Sequence, residues 1–189
     1  IKKKKKVYEM NPKKLKKGCV HIYHGDGKGK TTCGIGLCIR GAGAGLKVLI
    51  VQFLKDNSSS ERKILETIPG IYLAQGPSKV RFTFSMSPGE LEETGRQYRE
   101  MFREIVEAAC AQEYDMVFLD EILHLIHKDM IPESQVLDFL DHRPEGMEVI
   151  LTGYYPSSEL LSRADYVSHI VKEKHPYDKG LTARLGIEM

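Results

Sequence analysis

The feature that most constrains this chain is the stretch HGDGKGKTT at residues 24–32. It follows the short apolar run CVHIY at 19–23 and precedes a segment with helical spacing that begins at Thr31. The letters GKT at 29–31 complete the phosphate-loop pattern G-x-x-x-x-G-K-[ST], but His24 stands where that pattern opens with glycine. A loop of this kind between a strand and a helix predicts an α/β domain that binds a phosphorylated ligand through a variant phosphate loop.

Each residue type in this loop has a physical role in holding phosphate. Alternating glycines permit positive φ angles, so that backbone N–H groups turn toward an anion, and the following helix adds its positive dipole end. Lys30 supplies a point charge for the phosphates, and the Thr31 hydroxyl is a ligand for Mg²⁺. The alternative is a glycine-rich turn that only caps the helix. The predicted nucleotide-binding residues of the loop are Gly25, Asp26, Gly27, Lys28, Gly29, Lys30, Thr31 and Thr32.

A second acidic element follows further along the chain. The run MVFLDE at 116–121 is an apolar strand that ends in Asp120 and Glu121. This form is typical of a Walker-B strand, whose acid binds Mg²⁺ directly or through water. Taken alone, acids at a strand end are also ordinary polar termini, but beside a phosphate loop they predict a metal site of Thr31, Glu121 and Asp120.

Short apolar runs alternate with helical patterns along the rest of the chain. Strands that are apolar on both faces are typical of buried parallel sheets, and alternating strands and helices imply right-handed crossovers. We therefore predict an α/β fold with a mostly parallel central sheet and helices on both faces. The polar, turn-rich stretch 56–88 is expected to be a substrate-specific loop. The predicted strands are 19–23, 47–53, 116–120, 147–152 and 166–171, and the predicted helices are 31 to about 44, 87–113 and 132–143.

Charge and cysteine content narrow the class of protein. Residues 1–17 hold nine lysines and one glutamate, a balance of +8, so the remainder must carry −6 for the chain to total +2. We interpret 1–17 as a solvated basic tail without a nucleic-acid role, and 18–189 as one domain. The four cysteines lack C-x-x-C spacing and predict reduced thiols in the cytoplasm. No apolar stretch approaches the roughly 20 residues that span a bilayer, so no membrane association is expected.

Other catalytic patterns are missing or incomplete. His124 and His127 follow Glu121 in the order E-x-x-H-x-x-H, which lacks the H-E-x-x-H arrangement of zinc enzymes, so we interpret them as helix-surface or partly buried histidines. No G-x-S-x-G nucleophile elbow and no G-x-G-x-x-G dinucleotide fingerprint occur. These residues alone indicate an ATP-binding α/β domain without specifying its reaction.

Five motifs in order carry a resemblance to a known family. They are GDGKGKTT at 25–32, VQFLK at 51–55, FLDE at 118–121, VILTG at 149–153 and KHPYDKGLTARLGIE at 174–188. Over residues 18–189 the chain closely resembles the P-loop ATP:corrinoid adenosyltransferases. The resemblance implies a RecA-like P-loop fold and transfer of the 5′-deoxyadenosyl group of ATP to the Co(I) of a reduced corrinoid such as cobalamin, with release of triphosphate.

The resemblance also implies roles for individual residues. The attacked atom is the ribose C5′, so the whole triphosphate leaves, and the family also lacks glycine at the position of His24. Lys30 and Glu121 are then the expected catalytic residues, with Lys28 assisting at the triphosphate. Arg40 matches a family arginine and is assigned to the nucleotide on that basis, and the alternative is an ordinary surface arginine of the first helix. Further expectations are a homodimer and an electron-donating reductase, a flavoprotein.

Two aromatic positions and one departure from the family pattern complete these expectations. Phe82 and Phe84, in RFTF at 81–84, match the family's aromatic side chains under the corrin, and Phe84 stands where many members have Trp. Without the family, two Phe two residues apart indicate one face of a strand. Tyr154 stands where the family continues with Arg. Two alternatives therefore remain: a RecA-like ATPase in which Glu121 activates water, and a non-catalytic ATP- and corrinoid-binding relative.

Overall fold

A computed structural model describes residues 15–76, 87–111 and 113–188. Its centre is a six-stranded sheet in which every pairing is parallel, with the strand order β3-β2-β4-β5-β1-β6. The predicted α/β class with a mostly parallel sheet is confirmed. The strands are β1 (Val20–His24), β2 (Val48–Gln52), β3 (Ile71–Leu73), β4 (Met116–Asp120), β5 (Glu148–Gly153) and β6 (Tyr166–His169).

Helices cover both faces of the sheet. They are α1 (Lys30–Gly43), α2 (Arg62–Leu65), α3 (Pro88–Cys110), α4 (Ile122–His127), α5 (Glu133–His142) and α6 (Ser158–Arg163), followed by a 3₁₀ helix at Pro176–Lys179. On one face, α3 places Tyr98, Phe102, Ile105 and Ala109 into the larger core cluster, at the helical spacing that the sequence predicts. On the other face, α1 contributes Cys38 and Ala42 to a second cluster with β2 and β4.

A side-chain cap fixes the residue at which α3 begins. The Ser87 side chain accepts a hydrogen bond from the Glu90 N–H, and the Glu90 carboxylate accepts one from the Ser87 N–H, which forms a capping box. This cap satisfies N–H groups that have no partner inside the helix. The helix therefore begins at the Ser-Pro-Gly turn where the sequence places it.

The structure corrects two sequence predictions. The stretch 166–171 was expected to be a buried strand, but all four residues of β6 are exposed, because β6 is an edge strand that pairs only with β1. The stretch 56–88 was expected to be irregular, yet it contains α2 and β3, and β3 pairs with β2. Strand β3 forms because it pairs with β2, a tertiary contact that the polar composition of the stretch does not indicate.

Parallel strands bring the site together at one edge of the sheet. The carboxyl ends of β1, β2, β4 and β5 lie side by side. Ligands of open α/β sheets bind in the crevice outside these ends. None of the helices in the described ranges is both long and apolar enough to cross a membrane.

Candidate functional site

The loop between β1 and α1 is held tightly against the neighbouring chain. Gly25 has a φ of 117° and donates its N–H to the carbonyl of Gly153 at 3.2 Å. Gly27 donates its N–H to the carbonyl of Ile170 at 2.8 Å. A Cβ at Gly25 would lie 2.3 Å from that Ile170 carbonyl oxygen, so only glycine fits. These two N–H groups already donate hydrogen bonds to protein carbonyls. The N–H groups at the start of α1 therefore remain to bind an anion.

Lys30 is the cation at the centre of this loop. Its side chain is buried, with 7% of the residue exposed, although it is charged. The Nζ donates hydrogen bonds to the carbonyls of Gly25 at 2.7 Å and Gly27 at 3.0 Å, and lies 4.5 Å from the centroid of the Tyr154 ring. The ammonium group is therefore anchored inside the loop that the sequence predicts to bind phosphate.

Asp120 lies at the end of β4, directly beneath the loop, and is completely buried. Its Oδ1 accepts hydrogen bonds from the hydroxyls of Thr31 at 2.8 Å and Thr152 at 2.7 Å, and its Oδ2 accepts one from Lys55 Nζ at 2.9 Å. Three partners, from α1, from β5 and from the loop after β2, compensate for the burial of this charge. The predicted pair of Thr31 and Asp120 is thus brought into direct contact.

Glu121 occupies a strained turn beside Asp120. Its φ is 64°, which is uncommon for a residue with a side chain, and its N–H donates to the Thr152 hydroxyl at 2.9 Å. Burial, together with the neighbouring Asp120 carboxylate, raises the pKa of Glu121, while Lys30 and Lys55 oppose this. Glu121 lines the cleft above the loop.

The oxygen donors at this point fit Mg²⁺. A hydroxyl and two carboxyl groups, from Thr31, Asp120 and Glu121, are the hard ligands that this ion prefers. Within the described ranges no three His, Cys, Asp or Glu side chains converge as a metal site. Phosphate oxygens and water would have to complete the coordination shell, as they commonly do for Mg²⁺ at nucleotide sites.

Lys55 is a site residue that the sequence-based assignment missed. Burial lowers its pKa, but the carboxylates of Asp120 and Glu61 outweigh this, so its pKa is raised and the amine stays protonated. Its Nζ lies 3.6 Å from the Glu61 carboxylate, which also accepts a hydrogen bond from Gln52 at 2.8 Å. The available signal was the position of Lys55 at the end of VQFLK, just after a buried strand.

A cleft of about 770 Å³ opens above the loop. Its far wall is the C-terminal segment, residues 174–188, which approaches the loop through an ion pair of 3.3 Å between Lys28 and Glu188. Arg184 binds the same carboxylate at 2.9 Å, and these hydrogen bonds lower the pKa of Glu188 to about 2. From this segment the cleft is lined by His175, Pro176, Tyr177, Leu181, Thr182, Ala183, Gly186, Ile187 and Glu188.

Other predicted residues are placed differently. Thr32 lines the cleft, whereas Arg40 is exposed three turns along α1, about 15 Å from its start, and does not. Asp26 lines the cleft but is exposed, and its Oδ1 accepts a hydrogen bond from the N–H of Lys172 at 2.9 Å, which lowers the pKa of Asp26. Phe82 and Phe84 lie outside the described residues.

The histidines near the site form ring contacts. His24 stacks on His169 of β6, with ring centroids 4.6 Å apart. Burial lowers the pKa of His24, as do His169 and Lys30, so the ring that replaces the usual glycine favours its neutral form. His124 is half-buried against Tyr154, and His127 is exposed, as the sequence interpretation of partly buried and surface histidines predicts.

Comparisons with known proteins identify the family. A family model described as "ATP:corrinoid adenosyltransferase BtuR/CobO/CobP" matches residues 16–189. The chain is 32% identical over 178 residues to the corrinoid adenosyltransferase of Escherichia coli (strain K12), covering 91% of this chain and 86% of that relative. It is also 32% identical over 185 residues to the corrinoid adenosyltransferase CobA of Salmonella typhimurium (strain LT2), with the same coverage.

A solved structure supports the fold. The cytoplasmic domain of EssC superposes with a TM-score of 0.52 at 17% identity, covering 88% of this chain and 34% of that one. This likeness concerns the RecA-like α/β architecture alone, whereas the sequence matches extend through the phosphate loop and the C-terminal segment. The chain belongs to the ATP:corrinoid adenosyltransferase family, whose enzymes transfer an adenosyl group from ATP to a corrinoid.

Proposed function

We propose that this protein transfers the 5′-deoxyadenosyl group of ATP to the Co(I) of a reduced corrinoid such as cobalamin. The cobalt electron pair forms the Co–C bond at C5′, the C5′–O bond breaks, and its electrons leave with triphosphate. The observation that carries the proposal is the placement of residues 174–188, which line the cleft over the phosphate loop. This segment is the part of the sequence that an ordinary P-loop ATPase would not need.

The residues of the loop would act on the leaving group. Co(I) is a strong nucleophile, so the reaction needs positioning and charge stabilisation rather than a general base. Lys30, buried among loop carbonyls, would stabilise the charge that grows on the triphosphate, and the N–H groups at the start of α1 would add their dipoles. Lys28 would contribute from the surface, where it now pairs with Glu188.

A magnesium ion would be held at the Walker-type acids. Thr31 and Glu121 are the proposed ligands. Asp120 would hold them in place rather than bind the ion first, because its carboxylate already accepts hydrogen bonds from Thr31, Thr152 and Lys55. When bound, Mg²⁺ would neutralise part of the triphosphate charge. Asp120 would orient the Thr31 hydroxyl, and a bound cation would favour the ionised form of Glu121 that its burial disfavours.

The remaining expectations concern the corrinoid and partners. Phe82 and Phe84 are proposed to lie under the corrin and to exclude its lower axial ligand, which eases reduction of Co(II) to Co(I). Arg40 is proposed to act at the nucleotide, although in this structure it is remote from the cleft. A flavoprotein reductase, a homodimer and a cytoplasmic location complete the proposal, and they are suggested by membership of the family.

One experiment distinguishes this function from the alternatives. The protein is mixed anaerobically with MgATP and chemically reduced cobalamin, and the absorption spectrum of the Co–C product is followed while the phosphate products are quantified. Adenosyl transfer gives an alkylated corrinoid and triphosphate in equal amounts. An ATPase would release orthophosphate without alkylation, and a non-catalytic relative would bind both ligands without turnover. Either of these results would refute the proposal.

A further inference from the structure

The aromatic ring of Tyr154 lies against the buried ammonium of Lys30. Tyr154 follows β5 directly, and the distance from its ring centroid to Lys30 Nζ is 4.5 Å. This is within the range in which a cation is attracted by the negative face of an aromatic ring. The residue that departs from the family pattern is therefore in contact with the principal cation of the phosphate loop.

The contact with Tyr154 matters because Lys30 has few other partners. Its Nζ has two carbonyl acceptors, Gly25 and Gly27, and in the described part of the chain no carboxylate lies within ion-pair distance of it. A buried charge needs compensating partners. Two carbonyls and the ring face of Tyr154 provide them.

The position of the ring is itself constrained. Gly153 turns the chain with a φ of 139°, and a Cβ there would lie 2.8 Å from the Cβ of Leu123. The ring then packs edge-on against His124, with centroids 6.1 Å apart. Burial raises the pKa of Tyr154, as do Glu121 and Asp26, so the phenol stays neutral and the ring keeps its attraction for a cation at ordinary pH.

We infer that Tyr154 is a positioning residue that acts through Lys30: its ring face holds the ammonium group at the place where the triphosphate charge develops. This inference rests on the proposed function for its catalytic consequence. The tyrosine adds no charge of its own to the cleft. It instead fixes a cation that the loop already carries, which reduces the conformational freedom Lys30 must lose in the transition state.

The contact can be tested without turnover. In protein with ¹³C-labelled lysine, the εCH₂ protons of Lys30 should be shifted upfield by the ring current, and the signal is assigned by its disappearance in Lys30→Ala. Tyr154→Leu should move this signal to the ordinary lysine position, and Tyr154→Phe should restore the upfield shift. An unshifted Lys30 signal in the unmutated protein would overturn the inference.

The functional consequence is measured with the same variants. Tyr154→Leu should lower kcat for adenosyl transfer by about three- to thirtyfold and should weaken the binding of tripolyphosphate by a similar factor. The KM for ATP should change less, because the additional negative charge on the triphosphate forms only as the C5′–O bond breaks. Tyr154→Phe should recover kcat, which separates the ring from the hydroxyl. Tyr155→Leu makes the same change one residue along, at a side chain that is 74% exposed, and is the matched control.

The outcomes separate the two proposals. Equal losses in Tyr154→Phe and Tyr154→Leu, or in Tyr155→Leu and Tyr154→Leu, would contradict a role of the ring at Lys30. Failure of the unmutated protein to alkylate the corrinoid would refute the proposed function alone. In that case the Lys30 signal and the tripolyphosphate affinities would still decide whether Tyr154 positions Lys30.

Discussion

At the scale of single residues, the site is a set of compensated charges. Asp120 is fully buried and satisfied by two hydroxyls and one ammonium group, whereas Lys30 is satisfied by backbone oxygens and a ring. Backbone carbonyls are uncharged, so an incoming phosphate competes with them more easily than it would with a carboxylate. Lys30 is therefore buried and fixed, yet able to exchange its partners for a phosphate oxygen.

This difference predicts unequal roles for the two loop lysines. Lys30→Ala should lower kcat for adenosyl transfer by about 10²–10³-fold, because it removes a preorganised cation from the leaving group. Lys28 is exposed and paired with Glu188, so Lys28→Ala should cost less than about tenfold. Initial rates of Co–C bond formation measure both. Near-normal rates in Lys30→Ala would contradict the assignment of the phosphate loop.

At the scale of elements, the approach of α1 to β4 decides whether the site forms. Gly34 lies one turn after Lys30, and a Cβ there would be 2.4 Å from the ring of Phe118, which is completely buried on β4. The missing side chain lets the first turn of α1 pack closely on the strand. That closeness is what allows the Thr31 hydroxyl to reach Asp120 at 2.8 Å.

Two glycines of the same helix offer a matched test. Gly34→Ala should destabilise the protein by about 1–3 kcal/mol, because the added methyl group would clash with the completely buried Phe118 ring. At Gly36 nothing lies within 4 Å of an added Cβ, so Gly36→Ala should stabilise by about 0.4–1 kcal/mol through the gain in helix propensity. Denaturant unfolding gives both free energies. A Gly34→Ala variant as stable as Gly36→Ala would rule out the close-packing argument.

At the scale of the whole molecule, we expect the central sheet to fold without the C-terminal segment that forms the far wall of the cleft. The buried core ends at Leu160, and residues 172–188 are exposed or half-buried. The contacts between this segment and the loop are polar and solvent-exposed, such as that between Lys28 and Glu188. Exposed pairs of this kind contribute little to folding.

Removal of residues 174–189 should therefore leave the fold and abolish the activity. We expect a change in the free energy of unfolding of less than about 1 kcal/mol, which corresponds to a shift in Tm of roughly 2–4 °C or less. Adenosyl transfer should be lost, since the truncated cleft has no far wall. Circular dichroism melting and the alkylation assay measure the two effects. A truncated protein with full turnover would show that the segment is dispensable.

Local patterns in the sequence were sufficient for the fold class, the phosphate loop and the acids of β4. Gly25, Lys30, Thr31 and Asp120 are recognisable because each role depends on a spacing of a few residues or on the end of one apolar strand. The edge position of β6 and the strand β3 were not predictable in the same way. Whether a short apolar run is buried depends on which strands and helices lie beside it.

Motifs that are continuous in the chain were enough to identify an α/β phosphate-loop protein and to indicate its family. The contacts that complete the site were decided by the tertiary structure. Lys55 and Asp120 are 65 residues apart, and Thr152 reaches Asp120 from β5. The contact of Tyr154 with Lys30 likewise joins the residue that follows β5 to the first residue of α1, the helix that follows the neighbouring strand β1. The physical reason is the strand order, because parallel pairing sets which strand ends are neighbours, and no local pattern encodes that order.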